Sequence, residues 1–181
     1  LSGKPIEKIE ASSGEANAIG DGLGKIKLTV DPDIRGPIKV TFSGDGYRDE
    51  AIVLPKTTNV ETTIVLTPSR KHVYVSKKSG NYDLYSIDID GKNNSLLVAG
   101  TGNENNNIAL LYKPSVNFAA LVSTRGNQKN SEGALLSELR VVDVQSGRVD
   151  LVASAEHIQL VDWAGDRLIF VQEVLATGNE E

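Results

Sequence analysis

"KPSVNFAALVSTRGN" (residues 113–127) repeats, in outline, an upstream segment, "PSRKHVYVSKKSGN" (residues 68–81). Each reads Pro-Ser, two polar or bulky residues, a β-prone apolar run, Ser, basic residues and Gly-Asn. A third run opens at Leu168-Ile169-Phe170. The runs starting at Val73, Ala120 and Leu168 are 47 and 48 residues apart (73 to 120, 120 to 168). Two further marks keep the same step. "DLYSIDIDGK" (83–92) and "ELRVVDVQSGR" (138–148) are each a strand, an Asp and a Gly-bearing hairpin turn. Tyr112-Lys113-Pro114-Ser115 and Asp162-Trp163-Ala164-Gly165 precede the second and third runs. A period of about 40–50 residues carrying four strands is the mark of propeller blades. The second copy carries a longer excursion, "TRGNQKNSEGALLSE", where the first has "KKSGNYD"; insertions of this kind belong to surface loops.

Outside the repeat the strand signal persists. "KIKLTV" (25–30), "IKVTF" (38–42) and "TTIVLT" (62–67) alternate or cluster β-branched residues between Gly, Pro, Asp and Asn. Turn dipeptides such as Asp90-Gly91, Ser146-Gly147 and Gly165-Asp166 separate the later strands. Only 131–139 and 153–159 read as plausible helix, and neither sustains a 3.6-residue period, so the chain reads as all-β.

Composition narrows the rest. The 181 residues suffice for one ordinary domain or two small ones, and 39% hydrophobic content is enough for packed cores. The net charge of −5 disfavours nucleic acid and anionic lipid as partners. No apolar run approaches a membrane span. The absence of Cys excludes disulfides, thiol catalysis and Cys-based zinc sites. A chain that opens at Leu1 and has no Met reads as a segment of a longer protein.

The repeat resembles the TolB-type β-propeller repeat, shared with the propellers of prolyl-oligopeptidase-like peptidases. Tyr112 holds that pattern's aromatic place and Pro114 its proline. Ala119 to Ser123 hold the buried strand, and Arg125-Gly126-Asn127 the turn. Trp163 takes the aromatic place in the next copy, and Leu84-Tyr85, Asp88, Asp90 and Gly91 match the outer hairpin of the first. Ser115-Val116 replaces the family's Asp-Gly, and Leu139-Arg140 its Leu-Tyr. The match covers about residues 68–172. The opening 67 residues are different and resemble the carboxypeptidase-regulatory-like (transthyretin-like) β-sandwich, through Gly3-Lys4-Pro5, Asp21-Gly22-Leu23-Gly24, Gly46-Tyr47 and Ile52-Val53-Leu54. The two resemblances imply a small Greek-key β-sandwich over 1–67. An incomplete propeller of two-plus antiparallel blades follows over 68–181, with the boundary at Pro68. Val73–Ser76 and Ala120–Ser123 are then equivalent inner strands, and Leu84–Asp88 and Leu139–Asp143 the next ones. Val30, Phe42 and Leu66 are expected in one core; Leu84, Leu121, Trp163, Ile169 and Val171 in the other.

Chemistry is sparse. "DIDGKNN" (88–94) invites a calcium reading, but an EF-hand loop from Asp88 would place Lys92 at its fifth position and Ala99 at its twelfth. A hairpin turn with Asp caps is expected instead. His157 lies five residues before Asp162, without a Gly-x-Ser-x-Gly elbow. "GDGLGK" (20–25) lacks the phosphate-loop spacing. Tyr112 and Trp163 are either packing residues or ligand-facing aromatics at a propeller mouth. Asn105 and Asn106, in the polar loop "GNENNN", are a solvated turn or a carbohydrate or peptide contact. These four are the candidate binding residues; no catalytic residue, metal or cofactor is expected. Both resembled families are common in modular exported proteins. The expectation is therefore a non-catalytic binding or structural segment of a larger extracellular, surface or periplasmic protein. Its partners would be another protein, the remaining blades, or a second copy at open sheet edges. The rival expectation is the propeller portion of a prolyl-oligopeptidase-like peptidase whose catalytic domain lies outside this chain.

Overall fold

The structure, a computed structural model, describes residues 3–33, 35–55, 61–105 and 107–173. The chain divides into two compact units, Leu1–Arg70 and Lys71–Glu181. Every named element among the described residues is a strand, and every strand pairing is antiparallel. The stretches 131–139 and 153–159 hold no helix.

The first unit is one four-stranded sheet, β1 (Glu10–Ser13), β2 (Ala16–Ile19), β3 (Ile38–Ser43) and β4 (Glu50–Leu54), in the order β2-β1-β3-β4. Gly14, at φ 59°, takes the first central place of the two-residue β1–β2 turn, where a positive φ matches the strand twist. The period-2 pattern of β3 sends Val40 and Phe42 to one face, where they join Ile9, Ala11 and Leu66 in a core. Residues 25–30 and 62–67, read from sequence as strands, are not strands. Their apolar side chains still face the sheet: Ile26, Leu28, Ile64 and Leu66 pack on this core, and Val30 does not. Alternation selects which side chains are buried, whereas a ladder also needs a facing edge in register. Residues 66–69 are tied instead to the β3–β4 loop: Arg48 N–H donates to Thr67 O (2.8 Å) and Ser69 N–H to Gly46 O (2.9 Å).

The second unit consists of three antiparallel meanders. β5 (Lys71–Ser76), β6 (Asp83–Asp88) and β7 (Ser95–Val98) form the first, and β8 (Ala109–Lys113), β9 (Phe118–Ser123), β10 (Ser137–Asp143) and β11 (Val149–Ala155) the second. β12 (His157–Ala164) and β13 (Arg167–Glu173) form the third. The sequence echo is repeated in the register. Ser76 pairs with Asp83, Val75 with Leu84 and Lys71 with Asp88. Ser123 pairs with Glu138, Val122 with Leu139 and Phe118 with Asp143. β6 and β10 both end in turns closed by the Asp amide: Asp88 N–H donates to Lys92 O and Asp143 N–H to Arg148 O, each at 2.9 Å. β9, expected as an inner strand, is second in its sheet, because β8 pairs along its other side.

The middle sheet is apolar on both faces. Ala119, Leu121 and Val142 meet Leu84, Val73 and Val75 of the first meander. Ala120, Val122 and Leu139 meet Ile158, Trp163, Leu168 and Phe170 of the third. Ile169 and Val171, expected in the core, are 46% and 55% exposed. They occupy the side of β13 turned away from the middle sheet, while Leu168 and Phe170 take the buried side.

Candidate binding cleft

Where β9 ends and β10 and β12 begin, the middle and third meanders part to leave a cleft of about 350 Å³. Val122, Leu135, Ile158 and Leu160 provide its apolar surface; Asn105, Asn107, Ser137, Glu156, His157 and Gln159 supply polar groups.

Both walls are fixed by buried polar chemistry. The loop after β7 is pinned to the end of β9 by Thr124, whose hydroxyl donates to Asn103 O (2.7 Å) and accepts from Asn105 N–H (3.0 Å). This holds Asn105 at the rim. Behind it, the fully covered Glu104 carboxylate accepts from the amides of Thr101 (2.8 Å) and Gly102 (2.9 Å) and faces Arg125 Nη2 at 3.5 Å. Burial pushes the Glu104 carboxyl up, but these amides and Arg125 outweigh it and hold it below the ordinary value. Arg125 Nε donates to Ser123 Oγ (3.1 Å). Glu138, fully buried, accepts twice from Arg140 at 2.8 and 3.1 Å. Its carboxylate rests on Gly126: a Cβ there would collide with Oε1, so no larger residue fits without displacing a buried charge. Asp83, the register equivalent of Glu138, is held below its ordinary pKa by Ser79, the Gly100 amide and Tyr85.

On the opposite wall, the long insertion expected from sequence folds back on itself. Asn130 Oδ1 accepts from Glu132 N–H (3.0 Å) and Ala134 N–H (2.8 Å), and its Nδ2 donates to Glu156 Oε1 (2.7 Å). The insertion therefore orients the one carboxylate that lines the cleft.

Of the four candidate binding residues, Asn105 lines the cleft, as does His157, which the sequence weighed only with Asp162; Asn106 lies outside the described residues. Tyr112 points to the other face of β8 with its hydroxyl buried, and burial raises its pKa against the opposing effect of the Lys71 backbone. Trp163 is in the core between the middle and third meanders, and its indole N–H donates to Leu111 O at 3.3 Å. His157 and Asp162 share β12, where a rise of about 3.3 Å per residue puts them about 16 Å apart; Asp162 instead caps the Trp163 amide (2.7 Å). In the 88–94 turn, Asp90 accepts from Lys92 N–H (3.1 Å) and Asp88 from Asn93 Nδ2 (2.7 Å). Among the described residues no group of three His, Asp or Glu could hold a metal, and no helix is long and apolar enough to cross a membrane. Sequence reasoning missed Ser137, Glu156 and Gln159 as cleft residues. They come from two separate stretches, the start of β10 and the start of β12, and share no local motif. No protein-family model matches this sequence, and no curated protein is significantly similar to it.

Proposed function

We propose that the chain is a non-catalytic binding and structural segment of a larger exported, surface or periplasmic protein. In this reading the meanders of the second unit are successive propeller-type blades, and the first unit is a sandwich-type module. The observation that carries it is the outward face of β12–β13. In the middle sheet Ala120 and Val122 face the following meander and are 0% and 3% exposed. The hairpin register, in which Tyr112 pairs with Ala119 and Trp163 with Leu168, sets Ile169 and Val171 of β13 at the places of Ala120 and Val122, one residue on from the alignment read in the sequence, and these, with Val161, are 46–55% exposed. Residues built to be covered by a following sheet stand uncovered, and their natural cover is the next blade of the parent protein. The exported location rests on the resemblance of both halves to modules of exported proteins. Analytical ultracentrifugation of this chain, and of one extended past Glu181, tests the reading. The 181-residue chain should self-associate with rising concentration, and the extended chain should not. A chain that stays monomeric at about 100 μM, far above the Kd of a specific interface, overturns it.

A further inference from the structure

We infer that the cleft between the middle and third meanders binds an organic cation: a primary ammonium or guanidinium group on a short apolar stem. This goes beyond the structural role just proposed and concerns a different surface. Glu156 carries the argument. Its Oε1 is oriented by Asn130 Nδ2 at 2.7 Å, and no Lys or Arg among the described residues forms an ion pair with it. The two buried carboxylates behind the cleft walls each have a cation: Glu104 faces Arg125 and Glu138 binds Arg140. The cleft lining holds no Lys or Arg; the half-buried Glu156 carboxylate stands beside His157, Ser137, side-chain amides and apolar carbon, and among the described residues only its Oε1 has a side-chain partner. An anion would meet this carboxylate, and a neutral apolar molecule would leave it unsolvated and unpaired. A cation with an apolar stem satisfies both parts: the head pairs with Glu156, and the stem covers Val122, Ile158 and Leu160. At about 350 Å³ the space is at the small end of ligand sites, suited to a single side-chain-sized group.

The same head and stem occur in a free alkylamine and in a Lys or Arg side chain of a peptide. The experiment separates them. Amide resonances of the full chain are followed by NMR at pH 8 during titration with n-butylammonium, n-butylguanidinium, the tripeptide acetyl-Gly-Lys-Gly-amide, and neutral n-butanol. The cations should shift Val122, Ile158 and Leu160 saturably, with Kd of millimolar order, and n-butanol should bind about fivefold more weakly or not at all. Tighter binding of the tripeptide than of n-butylammonium assigns the site to a peptide side chain, and the reverse order to a free amine. Glu156→Gln, which keeps the Asn130 contact, should weaken the cations about fivefold and leave n-butanol unchanged. Leu135→Trp, which fills the cleft from the insertion, should abolish the shifts and serves if Glu156→Gln does not fold. Equal binding of n-butanol and the cations, indifference to Glu156→Gln, or no saturable shift by 20 mM (about twentyfold above a millimolar Kd) overturns the inference. None of these outcomes bears on the uncovered face of β13.

Discussion

Trp163 shows how one residue joins two sheets. Its ring fills the core between the middle and third meanders, and its N–H ties β12 to the edge strand β8. Trp163→Ala should cost about 3–5 kcal/mol in urea unfolding. Trp163→Phe keeps most of the packing and should cost about 1 kcal/mol for the lost hydrogen bond, plus the smaller ring's contacts. Glu104 governs acid stability at the same scale. Its folded-state pKa lies below the ordinary value of 4.5. The stabilisation is therefore complete above the unfolded-state pKa and is lost as pH falls through the folded one. Unfolding free energy measured from pH 7 downward should fall below about pH 4.5. Asp21, Asp83 and Asp143, also held low, contribute in the same direction. Glu104→Gln should flatten part of that fall while costing about 3 kcal/mol at pH 7, because it strands the Arg125 guanidinium. An unchanged pH profile in Glu104→Gln would remove Glu104 from the acid response.

Among the elements, β9 is distinguished by burial on both faces, with Ala119 and Ala120 each at 0% exposure. The small side chains fit because neighbouring sheets approach closely from either side. Ala119→Leu should destabilise by about 1–3 kcal/mol through overpacking. Amide exchange should be slowest in β9 and β10, which are paired along both edges, and faster in β13, whose outer edge has no partner strand among the described residues. Exchange in β13 as slow as in β9 at low concentration would mean that its free edge and face are already covered. The hairpins were legible in sequence at this scale: the Asp-to-Gly spacing at Asp88–Gly91 and Asp143–Gly147 correctly placed two turns, because an Asp side chain and a positive-φ Gly are local requirements. The strands 25–30 and 62–67 were misread, because a ladder depends on a distant partner.

For the molecule as a whole, the uncovered face of β12–β13 governs behaviour in solution. A contact between this face and a different surface of a second copy would be heterologous and would not close on itself. Ile169→Lys with Val171→Lys should therefore reduce self-association in sedimentation and raise solubility. The stability of a dilute sample should stay within about 0.5 kcal/mol, since neither side chain is buried in the single chain. A large loss of stability in the dilute variant would show that the face is packed within one chain. The charge of −5 will not by itself prevent such association at physiological salt, where charges beyond about 8 Å are screened.

By itself, the sequence determined the all-β class, the recurrence of a hairpin unit and the turn positions. Each is encoded locally, in period-2 alternation, in Gly and Asp at fixed offsets, and in a pattern that recurs at Val73, Ala120 and Leu168. Tertiary structure alone decided which side of β13 is covered. Leu168-Ile169-Phe170-Val171 is apolar at every position, and an unbroken apolar run does not state which alternate residues face a neighbour. It also decided the cleft. Asn105, Ser137 and Glu156 come from a loop, the start of a strand and a strand junction, and only the stacking of two sheets brings them together.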